Sequence, residues 1–317
     1  MMDIFSRRTM LKRLTTVGIW TSMLPFGSVS GIMNSMSGTT MRNRSIPSSG
    51  ERLPVVGLGT WQQFDVGESD DERQPLREVI SQIAQISPQM KPVIDTSPMY
   101  GRSEKVVGDL TAESGIAEKL FYATKVWTSG EQEGIDQMNA SMRKMRRTRM
   151  DLMQIHNLVD WQTHLKTLKR WKEEGKIRYI GITHYTVSAH DELEKILRKE
   201  KIDFVQFNYS LRVRNAERSL LNAAAEKGVA VIINEPYEKG SLFTAVRGKQ
   251  LPEWAAEYDI NSWGQFFLKF ILSHPAVTCV IPGTSNPKHV VDNIGAGFGA
   301  LPDEKGRQLM IRLIEKM

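Results

Sequence analysis

The chain has 317 residues, of which 40% are hydrophobic and 25% are charged, and its formal net charge is +6. This composition is typical of a globular protein with a sizeable core and excludes a largely disordered chain. The excess of basic residues is too small to indicate nucleic-acid binding, since several of them lie in the N-terminal segment. The single cysteine, Cys279, excludes an intramolecular disulfide and a multi-cysteine metal site.

Residues 1–30 resemble a twin-arginine signal peptide. Arg7 and Arg8 are adjacent, a modestly apolar stretch runs from Leu14 to Val29, and small residues stand at Ser28 and Ser30. The stretch is interrupted by polar residues, so a permanent transmembrane helix, which needs about 20 predominantly apolar residues, is the weaker interpretation. We expect cleavage near Ser30 and export through the twin-arginine machinery to the periplasm or beyond. An uncleaved membrane tether and an organellar transit peptide are the alternatives.

After a linker of residues 31–44, short apolar runs alternate with amphipathic segments, which predicts repeated βα units around a parallel sheet. The apolar runs begin at Pro54, Lys91, Leu120, Met150, Ile177, Asp203, Val229 and Val277. Eight such units favour a closed barrel over an open doubly wound sheet. A barrel of this kind typically needs about 250 residues plus insertions. We therefore predict an α/β fold, a (β/α)8 TIM barrel, over residues 45–317.

Polar side chains stand at or just after the carboxyl ends of three neighbouring predicted strands. The active sites of such barrels lie at this end. The set comprises Asp95, Tyr100, Lys125 and His156. A tyrosine has an ordinary pKa of about 10, but a nearby lysine would lower that pKa, and a carboxylate would orient the lysine. His156 would hydrogen-bond the same substrate oxygen as the tyrosine. Singly these residues are more often structural; together they suit proton delivery to a carbonyl oxygen.

The sequence resembles the aldo-keto reductase family over nearly everything from Met41 to Pro302. The resemblance is carried by LPVVGLGTW, VIDTSPMYGRSEKVVGDL, ATKVW, MDLMQIHN, GKIRYIGIT, FVQFNYS and VIPGTSNPKHVVDNIGA. MRNRSIPSSGERLP resembles the hairpin that closes the bottom of such barrels. The family implies reduction of aldehydes or ketones to alcohols, with Tyr100 as the general acid of a tetrad completed by Asp95, Lys125 and His156.

The resemblance also implies a nicotinamide cofactor, which lies extended across the barrel mouth in this family. No Rossmann fingerprint is present, because the cluster GAGFG at position 295 follows a predicted helix instead of a strand. Gly59, Thr60 and Asp95 match family positions near the nicotinamide ribose. Gln206 matches a contact to the carboxamide, and Thr284 and Asn293 match the adenine side.

Several positions depart from the family pattern. They are Thr183 and His184 in place of a common Ser-Asn pair, Asn234 in place of an aromatic ring that stacks on the nicotinamide, and Gly283 and His289 in place of Lys and Arg that hold the 2′-phosphate of NADPH. The absence of both charged groups would remove interactions typically worth about 1.5 to 3 kcal/mol each. Lys288 or Lys249 could substitute. We expect NADP(H), with NAD(H) as the alternative, and no metal.

Tryptophans follow three of the predicted strands, and large rings there would wall an apolar pocket for a small-molecule aldehyde or ketone. They are Trp61, Trp127 and Trp161. Such a pocket predicts broad or bulky carbonyl substrates. Two other classes of function stay open. An exported cofactor-sensing or partner-binding barrel with little turnover would suit the altered contacts, whereas a metal-dependent hydrolase or isomerase is poorly supported, because the histidines show no paired ligand spacing.

Overall fold

The computed structural model describes residues 40–317, so the predicted signal peptide and most of the predicted linker lie outside the described residues. An antiparallel hairpin comes first, formed by β1 (Asn43–Ser45) and β2 (Arg52–Pro54). Ile46 and Leu53 are fully buried against the first residues of the barrel strands, among them Val93. The hairpin therefore closes the N-terminal end of the barrel, as expected. It begins inside the predicted linker, because Asn43 already pairs with β2.

Eight parallel strands follow one another in sequence order around a single sheet. They are β3 (Leu58–Gly59), β4 (Val93–Asp95), β5 (Phe121–Val126), β6 (Met150–His156), β7 (Ile177–Thr183), β8 (Phe204–Asn208), β9 (Ala230–Asn234) and β10 (Cys279–Val280). Parallel bridges from Val56 to Val280 and from Gly59 to Gly283 join the first strand to the last. The predicted (β/α)8 barrel is confirmed.

Helices follow the strands along the chain and cover the outside of the sheet. They are α1 (Asp70–Ala84), α2 (Ser103–Glu113), α3 (Glu131–Lys144), α4 (Trp161–Glu173), α5 (His190–Lys199), α6 (Leu220–Glu226), α7 (Ser241–Ala245), α8 (Trp263–Leu272), α9 (Pro287–Gly295) and α10 (Glu304–Glu315). The helix α5 shows the amphipathic rule, because its buried residues Leu193, Ile196 and Leu197 recur at helical spacing. Within residues 40–317, no helix is both long and apolar enough to cross a membrane.

The backbones of β3 and β10 pack closely together, and glycine residues make this close approach possible. A Cβ atom added to Gly59 would lie 2.8 Å from the backbone oxygen of Ile281, which no real side chain tolerates. Gly57 N–H donates to the carbonyl of Val280 at 2.9 Å on the same seam. The seam opens at its carboxyl end into the mouth of the barrel, so its glycines lie beside the predicted site.

Candidate active site

A buried ion pair lies at the centre of the barrel mouth. Lys125 Nζ is 2.5 Å from Asp95 Oδ2, and it also donates to the backbone carbonyl of Thr96 at 2.7 Å. Both side chains are almost completely buried, because β4 and β5 are neighbours and point them into the barrel. Lys125 Nζ also lies 4.9 Å from the centre of the Tyr100 ring. The ammonium is therefore fixed on both sides and faces the phenol.

Tyr100 and His156 lie edge to face, with ring centres 6.0 Å apart and planes 84° apart. The structure thus brings together all members of the predicted tetrad. Burial raises the pKa of Tyr100 above its usual value, and the ammonium of Lys125 opposes this shift without reversing it. This differs from the expectation that Lys125 would lower the pKa overall, because burial outweighs the charge. The phenol is consequently protonated at neutral pH.

Lys125 keeps its charge in this buried position. Burial by itself would lower the pKa of Lys125, but the Asp95 carboxylate opposes burial, and that pKa lies above its usual value. His156 has no such carboxylate partner. Burial, and then the nearby Lys125 ammonium, lower the pKa of His156 to about 3. The site therefore presents a neutral imidazole and a permanent cation.

The second oxygen of Asp95 connects the tetrad to the amide side of the site. Asp95 Oδ1 accepts from Gln154 Nε2 at 2.9 Å and from Gln206 Nε2 at 3.0 Å. Gln206 Oε1 in turn accepts from Thr183 Oγ1 at 3.0 Å and from Asn234 Nδ2 at 3.4 Å. One carboxylate therefore orients both Lys125 and the glutamine predicted to contact the cofactor.

The loop that carries Tyr100 is anchored to the loop after β3. Asp65 Oδ1 accepts from the backbone N–H of Arg102 at 3.0 Å and from the Nε–H of Arg102 at 3.0 Å. Gly101 has a φ of +58°, and a Cβ there would collide with the Asp65 carboxylate. A glycine next to the tyrosine thus permits a turn that the aspartate then holds.

A cavity of about 610 Å³ opens above these residues. Of the predicted set, those that line it are Gly59, Thr60, Trp61, Asp95, Tyr100, Trp127, His156, Thr183, Gln206, Asn234 and Gly283. Asn234 Oδ1 is buried and has no hydrogen-bond partner among the described residues. A nicotinamide carboxamide carries an N–H₂ group that could donate to this oxygen. The polar groups on this wall therefore fit the head group of the implied cofactor.

Comparisons with known proteins agree with this geometry. The sequence profile of the Aldo/keto reductase family matches residues 55–310. The chain belongs to this family. It is therefore a nicotinamide-dependent oxidoreductase that reduces aldehydes or ketones. Among residues 40–317 of the reductase, no group of His, Cys, Asp or Glu side chains is arranged to hold a metal ion.

Two curated relatives and one solved structure are similar to the reductase. The reductase is 29% identical over 262 residues to the methylglyoxal reductase YeaE of Escherichia coli. The alignment covers 80% of this chain and 89% of the relative. The reductase is 25% identical over 263 residues to the glyoxal reductase of Bacillus subtilis, covering 80% and 87% respectively. An aldo/keto reductase of Klebsiella pneumoniae in complex with NADP and acetate has a TM-score of 0.71 at 23% identity, over 87% of this chain and 95% of that one. The last likeness concerns the fold.

Some predicted site residues of the reductase do not line the cavity. They are Lys125, which lies behind Tyr100, and His184, Thr284, Lys288, His289, Asn293 and Trp161. His184 stacks on Tyr185 with ring centres 5.6 Å apart, and its Nδ1 accepts from the backbone N–H of Thr186. Trp161 is the first residue of α4, so it does not lie in the loop where a pocket wall was expected.

The residues predicted for the adenine side lie just before α9 and along it. Lys288 and His289 are exposed there, and Asn293 is buried. Asn293 Oδ1 accepts a hydrogen bond from the hydroxyl of Tyr237. The amide nitrogen Nδ2 of Asn293 is therefore the polar atom of this side chain that can still bind a ligand.

The sequence reasoning missed several residues of the mouth. Those that line the cavity are Gln62, Gln63, Met99, Asn157, Tyr185, Glu235, Pro236, Tyr237, Lys239, Gly240, Phe243 and Ile281. Most lie in loops, especially the one after β9, where periodicity carries no signal. Lys239 Nζ lies 5.6 Å from the Trp61 ring centre and 5.5 Å from that of Tyr185, so it bridges the mouth. Gln154 could have been found, because it precedes His156 by two positions and strand side chains alternate.

Proposed function

We propose that Tyr100 gives its proton to the oxygen of the carbonyl substrate while the carbon receives hydride. A bound nicotinamide would supply that hydride, which no side chain can donate. The π bond of the carbonyl group breaks, and a new C–H bond and a new O–H bond form. One hydride and one proton therefore account for the two hydrogen atoms that the alcohol product gains. The observation that carries this proposal is the buried Lys125 ammonium, held by Asp95 at 2.5 Å and facing the Tyr100 ring at 4.9 Å.

The electrostatics of the site explain why a tyrosine can act as the acid. Burial raises the pKa of Tyr100, so the phenol carries its proton before the reaction. Proton transfer leaves a phenolate beside the Lys125 ammonium, and this charge pair forms only as the reaction proceeds. Groups that meet charge as it develops in a site shielded from water lower the barrier most effectively. Lys125 therefore stabilises the phenolate that the proton transfer produces.

A matched pair of substitutions tests the role of Tyr100. We expect Tyr100→Phe to lower kcat by about 10²- to 10⁴-fold, the usual contribution of a general acid. Binding of NADPH, followed by quenching of tryptophan fluorescence, should persist because the phenyl ring still fills its place. Tyr258→Phe is the control, since Tyr258 donates to Asp303 away from the cavity. Unchanged carbonyl reduction by Tyr100→Phe would eliminate the assigned acid.

For the substrate, we propose aldehydes and ketones of widely differing size, with α-dicarbonyls such as methylglyoxal among them. Two relatives at 29% and 25% identity are reductases of methylglyoxal and glyoxal. The cavity of about 610 Å³ and the exposed rings of Trp61 and Trp127 at its rim also leave room for a bulky apolar substituent. A panel from methylglyoxal to aromatic ketones tests this, and activity confined to one narrow size class would contradict it.

For the cofactor, we propose NADP(H). Solved relatives bind NADP or NADPH, and Lys288 lies exposed at the start of α9 without an ion pair among the described residues. A cation there would supply the positive charge that Gly283 and His289 do not provide to a 2′-phosphate. Separate titrations with NADPH and NADH test this. Tighter binding of NADH would overturn it, and binding of neither would favour a barrel that does not turn over carbonyl compounds.

We propose in addition that the reductase is exported through the twin-arginine route. The support is the adjacent pair Arg7 and Arg8, followed by an apolar stretch and small residues near Ser30. Replacing both arginines by lysine keeps the charge and should leave an uncleaved protein in the cytoplasm. Cell fractionation and N-terminal sequencing measure the outcome. Equal export and cleavage of the double variant would contradict the proposal.

A further inference from the structure

Ser97 is a fully buried residue in the loop between Asp95 and Tyr100, and its hydroxyl contacts the catalytic imidazole. Ser97 Oγ is 3.1 Å from His156 Nδ1. We propose that Ser97 is a positioning residue that fixes His156 as the tautomer with hydrogen on Nε2. The inference rests on the proposed function to the extent that His156 is taken to donate to the substrate oxygen.

Counting hydrogen atoms assigns the direction of this bond. The backbone N–H of Met99 donates to Ser97 Oγ at 3.2 Å, and a backbone N–H can only donate. Among the described residues, the other group in hydrogen-bond contact with this hydroxyl is His156 Nδ1. A buried hydroxyl hydrogen without an acceptor is costly, so it points to Nδ1. Nδ1 then accepts, and the hydrogen of the neutral ring resides on Nε2.

The choice of tautomer matters because His156 does not become charged in the working range of pH. Burial, followed by the Lys125 ammonium, keeps the pKa of His156 at about 3, so the ring has one N–H group and one lone pair. His156 lines the cavity, and among residues 40–317 no protein group bonds its Nε2. The atom that faces the substrate is thus a donor in one tautomer and an acceptor in the other.

A carbonyl oxygen has two lone pairs and can accept two hydrogen bonds. With hydrogen on Nε2, His156 and Tyr100 supply one donor each, and the oxygen is held between them as negative charge develops. With hydrogen on Nδ1, the lone pair of Nε2 would face the lone pairs of the oxygen. Ser97 therefore acts through His156 and need not touch the substrate.

Nuclear magnetic resonance of the full chain labelled with ¹⁵N-histidine tests the assignment without turnover. Long-range ¹H–¹⁵N correlations distinguish a protonated ring nitrogen from an unprotonated one, and the spectrum of His156→Gln identifies the resonance. We expect an unprotonated Nδ1 in the wild type and a growing population with protonated Nδ1 in Ser97→Ala. A wild-type ring with hydrogen on Nδ1 would overturn the proposal, even if carbonyl reduction is confirmed.

Kinetics supply the second measurement. We expect Ser97→Ala to lower kcat/KM for a carbonyl substrate by about 2- to 10-fold, the usual effect of one hydrogen bond, while Ser97→Thr retains the hydroxyl and most of the activity. Ser103→Ala is the matched control, because the Ser103 hydroxyl is equally buried and has no hydrogen-bond partner among the described residues. Unchanged tautomer populations and unchanged kcat/KM in Ser97→Ala would refute the positioning role.

Discussion

Removal of the Lys125 ammonium is the most direct test of how the site delivers its proton. Lys125→Met keeps the length of the side chain and deletes the charge 4.9 Å from the centre of the Tyr100 ring. At that distance, an effective dielectric constant of about 20 gives roughly 3 kcal/mol of attraction to a phenolate. Because the attraction develops as the proton leaves, we expect kcat to fall by about 10²-fold.

The same substitution also has a cost for folding that must be separated from its effect on catalysis. Asp95 is almost completely buried, and it would lose its ion pair while keeping its bonds from Gln154 and Gln206. Breaking one side of a buried pair typically destabilises a protein by about 3–5 kcal/mol, whereas removing both sides is often neutral. The double variant Asp95→Asn with Lys125→Met should therefore recover much of the lost melting temperature.

The assay compares thermal unfolding, NADPH binding and the kcat for reduction of methylglyoxal among the wild type, the single variant and the double variant. We expect the double variant to be more stable than Lys125→Met but no more active. A Lys125→Met enzyme that binds cofactor and retains kcat within about threefold of the wild type would refute the electrostatic reasoning. Recovery of kcat together with stability in the double variant would assign the loss to folding instead.

Three further predictions concern other parts of the molecule. Folding lowers the pKa of His156 from about 6.5 to about 3, so between these pH values the unfolded chain binds more protons than the folded chain. The free energy of unfolding should therefore fall as the pH drops from about 6.5 towards 3. Melting curves of His156→Gln should show a smaller dependence of stability on pH in this range. Lys288→Ala should weaken NADPH binding in fluorescence titrations by about 10-fold and NADH binding little. Gly59→Ala should lower the melting temperature, with a cost of about 1–3 kcal/mol in denaturant titrations, because its Cβ would lie 2.8 Å from the Ile281 carbonyl.

The barrel was predictable because its strands are buried on both faces and read as continuous apolar runs. The runs beginning at Met150 and Ile177 match β6 and β7 from end to end. The lengths of the first and last barrel strands were predicted less accurately. The runs beginning at Pro54 and Val277 are longer than β3 and β10, because these two strands meet each other through isolated bridges at Gly59 and Val280 instead of a continuous ladder.

The proximity of the predicted tetrad residues could be inferred for the same geometric reason, since side chains at the carboxyl ends of neighbouring strands must converge. The cofactor side was less accessible to sequence reasoning. His184 follows the end of β7 directly, and only the local backbone decides that its ring stacks on Tyr185 and leaves Thr183 to face the cavity. The loop after β9 carries non-glycine residues with positive φ, Glu235 and Lys239 among them, a conformation that no sequence pattern here announces.

The buried carboxylate at the end of β4 has a wider role than holding one lysine. A carboxylate offers lone pairs on two oxygens. Asp95 uses one oxygen for Lys125 and the other for the amides of Gln154 and Gln206. Gln206 therefore presents a fixed donor edge to Asp95 and a fixed acceptor edge to Thr183. The position of the Lys125 ammonium and the orientation of Gln206 are thus both set by the Asp95 carboxylate, which explains why a strand buried on both faces ends in a charge.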